Sequence, residues 1–423
     1  MHRAIWVAVT GAMLWLVLVF ASCACAESRE RVIHSFTGGM DGSAPIGNLL
    51  LDRAGNLYGE ASSGGTGHSG VVFELTRDPS GQWAESVLYS FAGGSDGESP
   101  VGGVIFDQSG NLFGVTQNGG GDGCSRGCGT VFELMPGQNG HWTESVLYSF
   151  TGGSDGASPD AQLILDGAGN LYGTTQAGGD ATCATGGCGT VFVLTPAQNG
   201  HWTQTVLHTF KGGSDGEFPF MASLVFDATG NLYSTTSSGG KFGLGTVFRL
   251  SPRKNGKWTE TILRAFQGGS DGASPAAGLT LVGDILYGTT YGGGKQCIVG
   301  GCGTVYQMKA DPKGKWTETV IHRFRGTDGI ETLSTPVLDP AGNLFGTTFE
   351  GGSGLCGVCG TAFELKPKAK GNWHESVLHD FGSRQGDAGT PEGGLIVNKA
   401  GRVFGTTALG GKEGLGAVFE IAP

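Results

Sequence analysis

Residues 146–159 read VLYSFTGGSDGASP, residues 161–175 read AQLILDGAGNLYGTT and residues 186–205 read GGCGTVFVLTPAQNGHWTQT. Four short runs in this stretch have strand character, 162–166, 170–175, 189–195 and 202–210, separated by Gly, Asn, Asp and Pro. The last run alternates. Trp202, Gln204, Val206, His208 and Phe210 face one way, and Thr203, Thr205, Leu207 and Thr209 the other. A period of 2 over nine residues is that of a strand, not of a helix. Between the first two runs stands Asp166-Gly-Ala-Gly169-Asn170. An Asp that bonds its own backbone, followed by a Gly that accepts φ > 0, predicts a tight hairpin with a bulge.

The same unit recurs from Val32, Val87, Val146, Val206, Ile262, Val320 and Val377, at intervals of 55 to 60 residues. Four antiparallel strands per unit, repeated, predict an all-β fold, a seven-bladed β-propeller. One unit cannot bury both faces of a small sheet, and ring closure also removes exposed edges. The termini fit closure. An orphan outer strand at 32–36 precedes the first complete unit, and the last unit stops after its third strand at 418–421. The N-terminal strand is therefore expected to complete the last blade.

The phrases SFxGGSDGxxP, DxxGNLYGTT and GTVFELxP resemble the Gly-rich tandem repeat of the GloVer family (Gloeo_Verruco repeats, choice-of-anchor bacterial exported proteins) over essentially all of 32–423. The resemblance implies a secreted or surface propeller and no established activity. Residues 27–423 are thus expected to be one domain. Before them, Arg3, an uncharged stretch over 4–21 and Ala24-Cys25-Ala26 follow the plan of a secretory signal peptide cut after Ala26. Retention as a membrane anchor and lipid on Cys23 are the alternatives. A secreted, periplasmic or surface monomer without a later membrane span is expected.

Composition excludes some partners. Net charge is −11, with no Lys/Arg cluster after residue 30, so a nucleic-acid partner is disfavoured. The 82 Gly and 15 Pro bring the chain near the level of disordered sequences, but 38% hydrophobic residues and 23 Phe allow a core. The eight cysteines after the leader come in close pairs, Cys124/Cys128, Cys183/Cys188, Cys297/Cys302 and Cys356/Cys359. Local spacing in an exported chain reads as disulfides. Zinc sites shared between copies and a redox C-x-x-C at Cys356 are the competing readings.

The candidate ligand residues are the aspartates of the GGxDG loops, Asp41, Asp96, Asp155, Asp215, Asp271, Asp328 and Asp387. These loops lead from an outer strand to the next innermost strand, so the carboxylates are expected to ring one mouth of the channel. Such carboxylates could gather Ca²⁺, which takes 6–8 oxygen ligands, or accept bonds from sugar hydroxyls. The plainer reading is that each caps its own turn. Symmetry breaks in copies six and seven, which adds Arg323, Arg325, Glu331 and Arg384. One Trp per outer strand, and His34, His208, His322 and His379 at a position also held by Tyr89 and Tyr148, read as packing residues. No nucleophile elbow, phosphate loop or HExxH is present. Two functions follow as expectations. One is a non-catalytic module binding a glycan, envelope polymer or protein through the GGxDG face. The other is a Ca²⁺-dependent hydrolase, lactonase or sugar-acting enzyme with its site at the channel.

Overall fold

The computed structural model describes residues 29–183, 186–294, 300–353 and 359–422. The expected leader, with Cys23 and Cys25, lies outside the described residues, as do Cys297 and Cys356. The runs rich in Val, Phe, Tyr and Thr, residues that suit a pleated half-buried surface, form seven four-stranded antiparallel sheets. We number the blades from the first complete sheet. Blade 3 holds Ile164–Leu165, Leu171–Thr175, Thr190–Pro196 and Trp202–Thr209, from axis to rim. Blade 7 holds Ile396–Val397, Val403–Thr407 and Ala417–Ala422, and Arg29–Ser35 pairs antiparallel with the last of these. The chain is a seven-bladed β-propeller closed by its own N-terminal strand.

Two details depart from the strands read in the sequence. Inner strands are mostly two residues long, blade 2 (Glu98–Phe106) being the longest. Crowding at the axis explains this: a Cβ on Gly47 would stand 2.6 Å from the Gly103 nitrogen of the next blade, so neighbouring backbones nearly touch. The alternation over 202–210 is also interrupted. Val191 pairs with His208 and Phe192 with Val206, leaving Leu207 as a bulge, and all seven outer strands share this shift. A bulge sharpens the local twist and re-aims the residues beyond it.

The re-aimed ring packs inward. His208 lies edge-on to Phe210 at 4.8 Å, and Phe210 to Phe248 of the next blade at 5.2 Å. Equivalent rings repeat around the molecule, so the core runs between blades as well as within them. Gly173 is small for this reason, since a Cβ there would meet the Phe192 ring at 2.6 Å. The two threonines of each GTT have separate tasks. Thr175 shares a hydrogen bond with Thr190 in its own blade at 2.9 Å, while Thr174 donates to the Ala222 carbonyl of the next blade at 3.3 Å. The outer-strand tryptophans lie against aromatic rings of the preceding blade, as Trp202 does with Phe113 at 6.2 Å.

Candidate functional site

Each GGxDG loop is built around its aspartate. Asp215 accepts a bond from the Lys211 amide at 2.8 Å, and Asp41, Asp96, Asp155, Asp271, Asp328 and Asp387 accept from Thr37, Ala92, Thr151, Gln267, Arg325 and Ser383 at 2.6 to 2.9 Å. These bonds are turn caps. Each carboxylate also meets the side chain that the outer-strand bulge re-aims. Tyr89 and Tyr148 donate to Asp96 and Asp155 at 2.7 and 3.0 Å. His322 and His379 stand 3.2 and 3.1 Å from Asp328 and Asp387. His208 and His34 stand 3.4 and 3.8 Å from Asp215 and Asp41, and Arg264 pairs with Asp271.

A third group comes from the outer strand of the following blade, at the position two after its Trp. Glu260 approaches His208 to 3.8 Å, Glu318 accepts from Arg264 at 3.0 Å, and Gln204 donates to the Asp155 carbonyl at 3.1 Å. At the closing junction the group is Glu30, from the N-terminal strand. It lies 3.9 Å from His379 and takes a 2.6 Å bond from Arg384. Every blade junction thus carries a loop aspartate, a side chain from the rim strand before it and a second group from the rim strand after it.

Electrostatics divides the two acids. Burial, then the nearby aspartate, pushes Glu85 and Glu144 up to about 7, Glu318 to about 8 and Glu260 to about 9. Burial also opposes ionisation of Asp215, Asp328 and Asp387, but bonds from the imidazoles and loop amides outweigh it and hold them below the ordinary range. Where both shifts point apart, as for Asp215 with Glu260 and Asp271 with Glu318, the aspartate is the stronger acid of the pair.

The aspartate carboxylates therefore turn back onto the rim strands. The cavity at the axis is bounded instead by Ile46, Asn48, Asp160, Gln162, Ser223 and Glu392, among others, and measures about 10 Å³, the room of a single water. Asp160 is 3% exposed and neither of its oxygens completes a hydrogen bond. The equivalent residues of other copies include Ile46, Val101, Ala276 and Leu333. Arg325 is exposed, Arg323 donates to the Ser270 carbonyl at 2.9 Å, and Glu331 sits at φ 61°.

At the opposite end of the strands, Asp166 accepts from the Ala168 and Asn170 amides at 2.9 Å and from the Asn170 side chain at 2.8 Å. On the GGxDG face, Cys124 is bonded to Cys128 and Cys183 to Cys188, and Cys302 and Cys359 are disulfide-bonded as well. Among the described residues, four large apolar side chains are exposed there, Met40 (71%), Leu409 (54%), Phe242 (45%) and Leu415 (39%). Leu415 reaches over the loop of Met40, since a Cβ on Gly38 would lie 2.7 Å from its Cδ1.

Sequence reasoning missed Glu30, Glu85, Glu144, Glu260, Glu318 and Glu375 because each meets its loop only across the gap between two blades. A signal was present. The acid recurs two residues after the outer-strand Trp, as Glu85, Glu144, Glu260, Glu318 and Glu375, with Gln204 the exception.

A family model described as the Gloeobacter/Verrucomicrobia repeat matches residues 19–151 and 86–300. No curated protein matches the sequence. Among solved structures, a protein of unknown function from Dyadobacter fermentans is 12% identical, covers 83% of this chain and 98% of its own, and has a TM-score of 0.43. A luciferin-regenerating enzyme is 14% identical, covers 77% of this chain and 91% of its own, and has a TM-score of 0.42. Among the described residues no helix is long and apolar enough to cross a membrane.

Proposed function

Because the chain belongs to the Gloeobacter/Verrucomicrobia repeat family, and its repeats close into a propeller with rigidly capped loops at one end, we propose that it is an exported, non-catalytic binding or scaffold module. Its GGxDG face would meet the ligand, a cell-envelope glycan or a protein. The observation carrying this reading is the exposure of Met40, Phe242, Leu409 and Leu415 on that face. Exposed apolar side chains set among polar loops are the usual makings of a recognition surface. The loops beneath them are held by aspartate caps and disulfides, so little ordering entropy remains to oppose binding. A channel-centred hydrolase draws no support from a cavity of about 10 Å³, too small for a sugar ring.

The test is retention of the mature protein on cell-envelope preparations and glycan arrays, compared with a Met40→Glu/Leu415→Glu variant. Binding that is lost in the variant supports the proposal. Retention unchanged by the variant, or no retention on any surface, overturns it.

A further inference from the structure

The seven blade junctions solve one electrostatic problem in different ways. Between blades 1 and 2, and between 2 and 3, a tyrosine hydroxyl bonds the loop aspartate. Between blades 4 and 5 the guanidinium of Arg264 lies between Asp271 and Glu318. At the closing junction Arg384 supplies a guanidinium to Glu30 beside His379 and Asp387. At these last two junctions a guanidinium sits with the converging carboxylates. Of three junctions that pair two carboxylates with an imidazole alone, that of His34, Asp41 and Glu85 holds its imidazole 3.8 Å from Asp41; the two compact trios are His208, Asp215 and Glu260 between blades 3 and 4, and His322, Asp328 and Glu375 between blades 5 and 6.

In each of these trios the ligand atoms lie within 4.8 Å of one another. His208 Nε2 is 3.4 Å from Asp215 Oδ2 and 3.8 Å from Glu260 Oε1, longer than good hydrogen bonds. His208 Nε2 and the Oε1 atoms of Glu260 and Glu375 are buried without any hydrogen-bond partner. His322 Nε2 is 3.2 Å from Asp328 Oδ2. Ligands bound about 2.0–2.1 Å from a tetrahedral zinc stand about 3.3 Å apart, so the His208–Asp215 and His322–Asp328 spacings already suit an ion, and the glutamates, within 4.8 Å, must close by up to about 1.5 Å. A donor set of one imidazole nitrogen and two carboxylate oxygens suits a borderline ion of the zinc class better than Ca²⁺, which prefers an all-oxygen shell. The side chains of His208 and Asp215 remain 18% and 22% exposed, leaving a path from solvent.

We propose that the junctions between blades 3 and 4 and between blades 5 and 6 are binding sites for a divalent ion of the zinc class, each ion stapling two adjacent blades. Water completes the fourth position of each site. The sites lie between rim strands and do not depend on the nature of any ligand on the GGxDG face.

The experiment is titration of the metal-stripped, disulfide-intact protein with Zn²⁺ by calorimetry, with elemental analysis after gel filtration and a thermal melt at each metal concentration. Two equivalents are expected, falling to one in Glu260→Gln and to none in Glu260→Gln/Glu375→Gln. The melting temperature should rise with Zn²⁺ in the parent and stay level in the double variant. As a control, Gln204→Glu adds a carboxylate at a tyrosine junction and should add no zinc. X-ray absorption should report one nitrogen-type imidazole ligand per ion, with oxygens completing the shell. Failure of the parent to retain zinc, or retention undiminished in the double variant, overturns the proposal.

Discussion

Asp160 is a carboxyl at the propeller axis with no bond to either oxygen. Burial raises its pKa to about 7, against a smaller opposing pull from the backbone amides of Met221 and of Asp160 itself. An acid whose folded pKa is raised stabilises the fold relative to its ionised form only while protonated. Between about pH 4 and pH 7 the folded chain keeps a proton that the unfolded chain has lost, so stability falls as pH rises through that window. A shift of about three units at about 1.4 kcal/mol each gives about 4 kcal/mol lost by pH 8, of which about 1.5 kcal/mol is already lost at pH 5. Asp160→Asn removes the titration and leaves the other raised acids unchanged. The stability of the variant relative to the parent should therefore rise by about 2.5 kcal/mol from pH 5 to pH 8. With an unfolding entropy of about 2.1 cal/mol/K per residue over roughly 400 residues, that is about 3 °C in melting temperature. Calorimetric melts of both proteins at pH 5, 6, 7 and 8 measure it. Asp160→Leu, which copies Leu333 of another repeat, serves as a second variant. Parallel melting curves across the pH range, or a variant that loses stability relative to the parent toward pH 8, would refute the reasoning.

Two further outcomes test the packing and the closure. Tyr306 is fully buried with its hydroxyl unbonded, where the other six copies carry Phe, so Tyr306→Phe should stabilise the fold by about 1–3 kcal/mol, read as a higher melting temperature. Phe36 follows the closing strand and is fully buried against Phe73 at 5.2 Å; Phe36→Ala should cost about 3–5 kcal/mol, and removal of Arg29–Ser35 should cost more and open the ring in solution scattering. An unchanged melting temperature on removal of that strand would contradict closure through this contact.

The parts of this fold that could be read from sequence are those set by local chemistry repeated many times. Strand alternation, the Asp-x-x-Gly-Asn hairpin and the count of copies need no knowledge of what lies across a gap. The match between a surplus strand at residue 32 and a missing one after residue 421 needs only bookkeeping along the chain. The caps were legible for the same reason, because Asp215 bonds an amide four residues away. The junction trios were not. Glu260 meets Asp215 from the following blade, and between Thr259 and Thr261 in the sequence it reads as one more polar residue. Its role appears only when the ring sets one rim strand beside the next. The axial exceptions are a different case. Asp160 and Glu392 break the repeat where other copies have Ile46, Val101 or Leu333, and Glu60 replaces the threonine seen in five copies. The ring explains why such departures matter: a residue that would be a harmless variant at the rim is stripped of water at the axis. Glu60 is 1% exposed, accepts the Gly103 amide of the next blade at 2.8 Å and has its pKa driven far up by burial. Kept neutral, it can still bind the next blade as the threonines do. In a repeat protein of this kind, the physical weight of a departure from consensus is set by its radius from the axis, and that radius is the one coordinate a linear sequence does not carry.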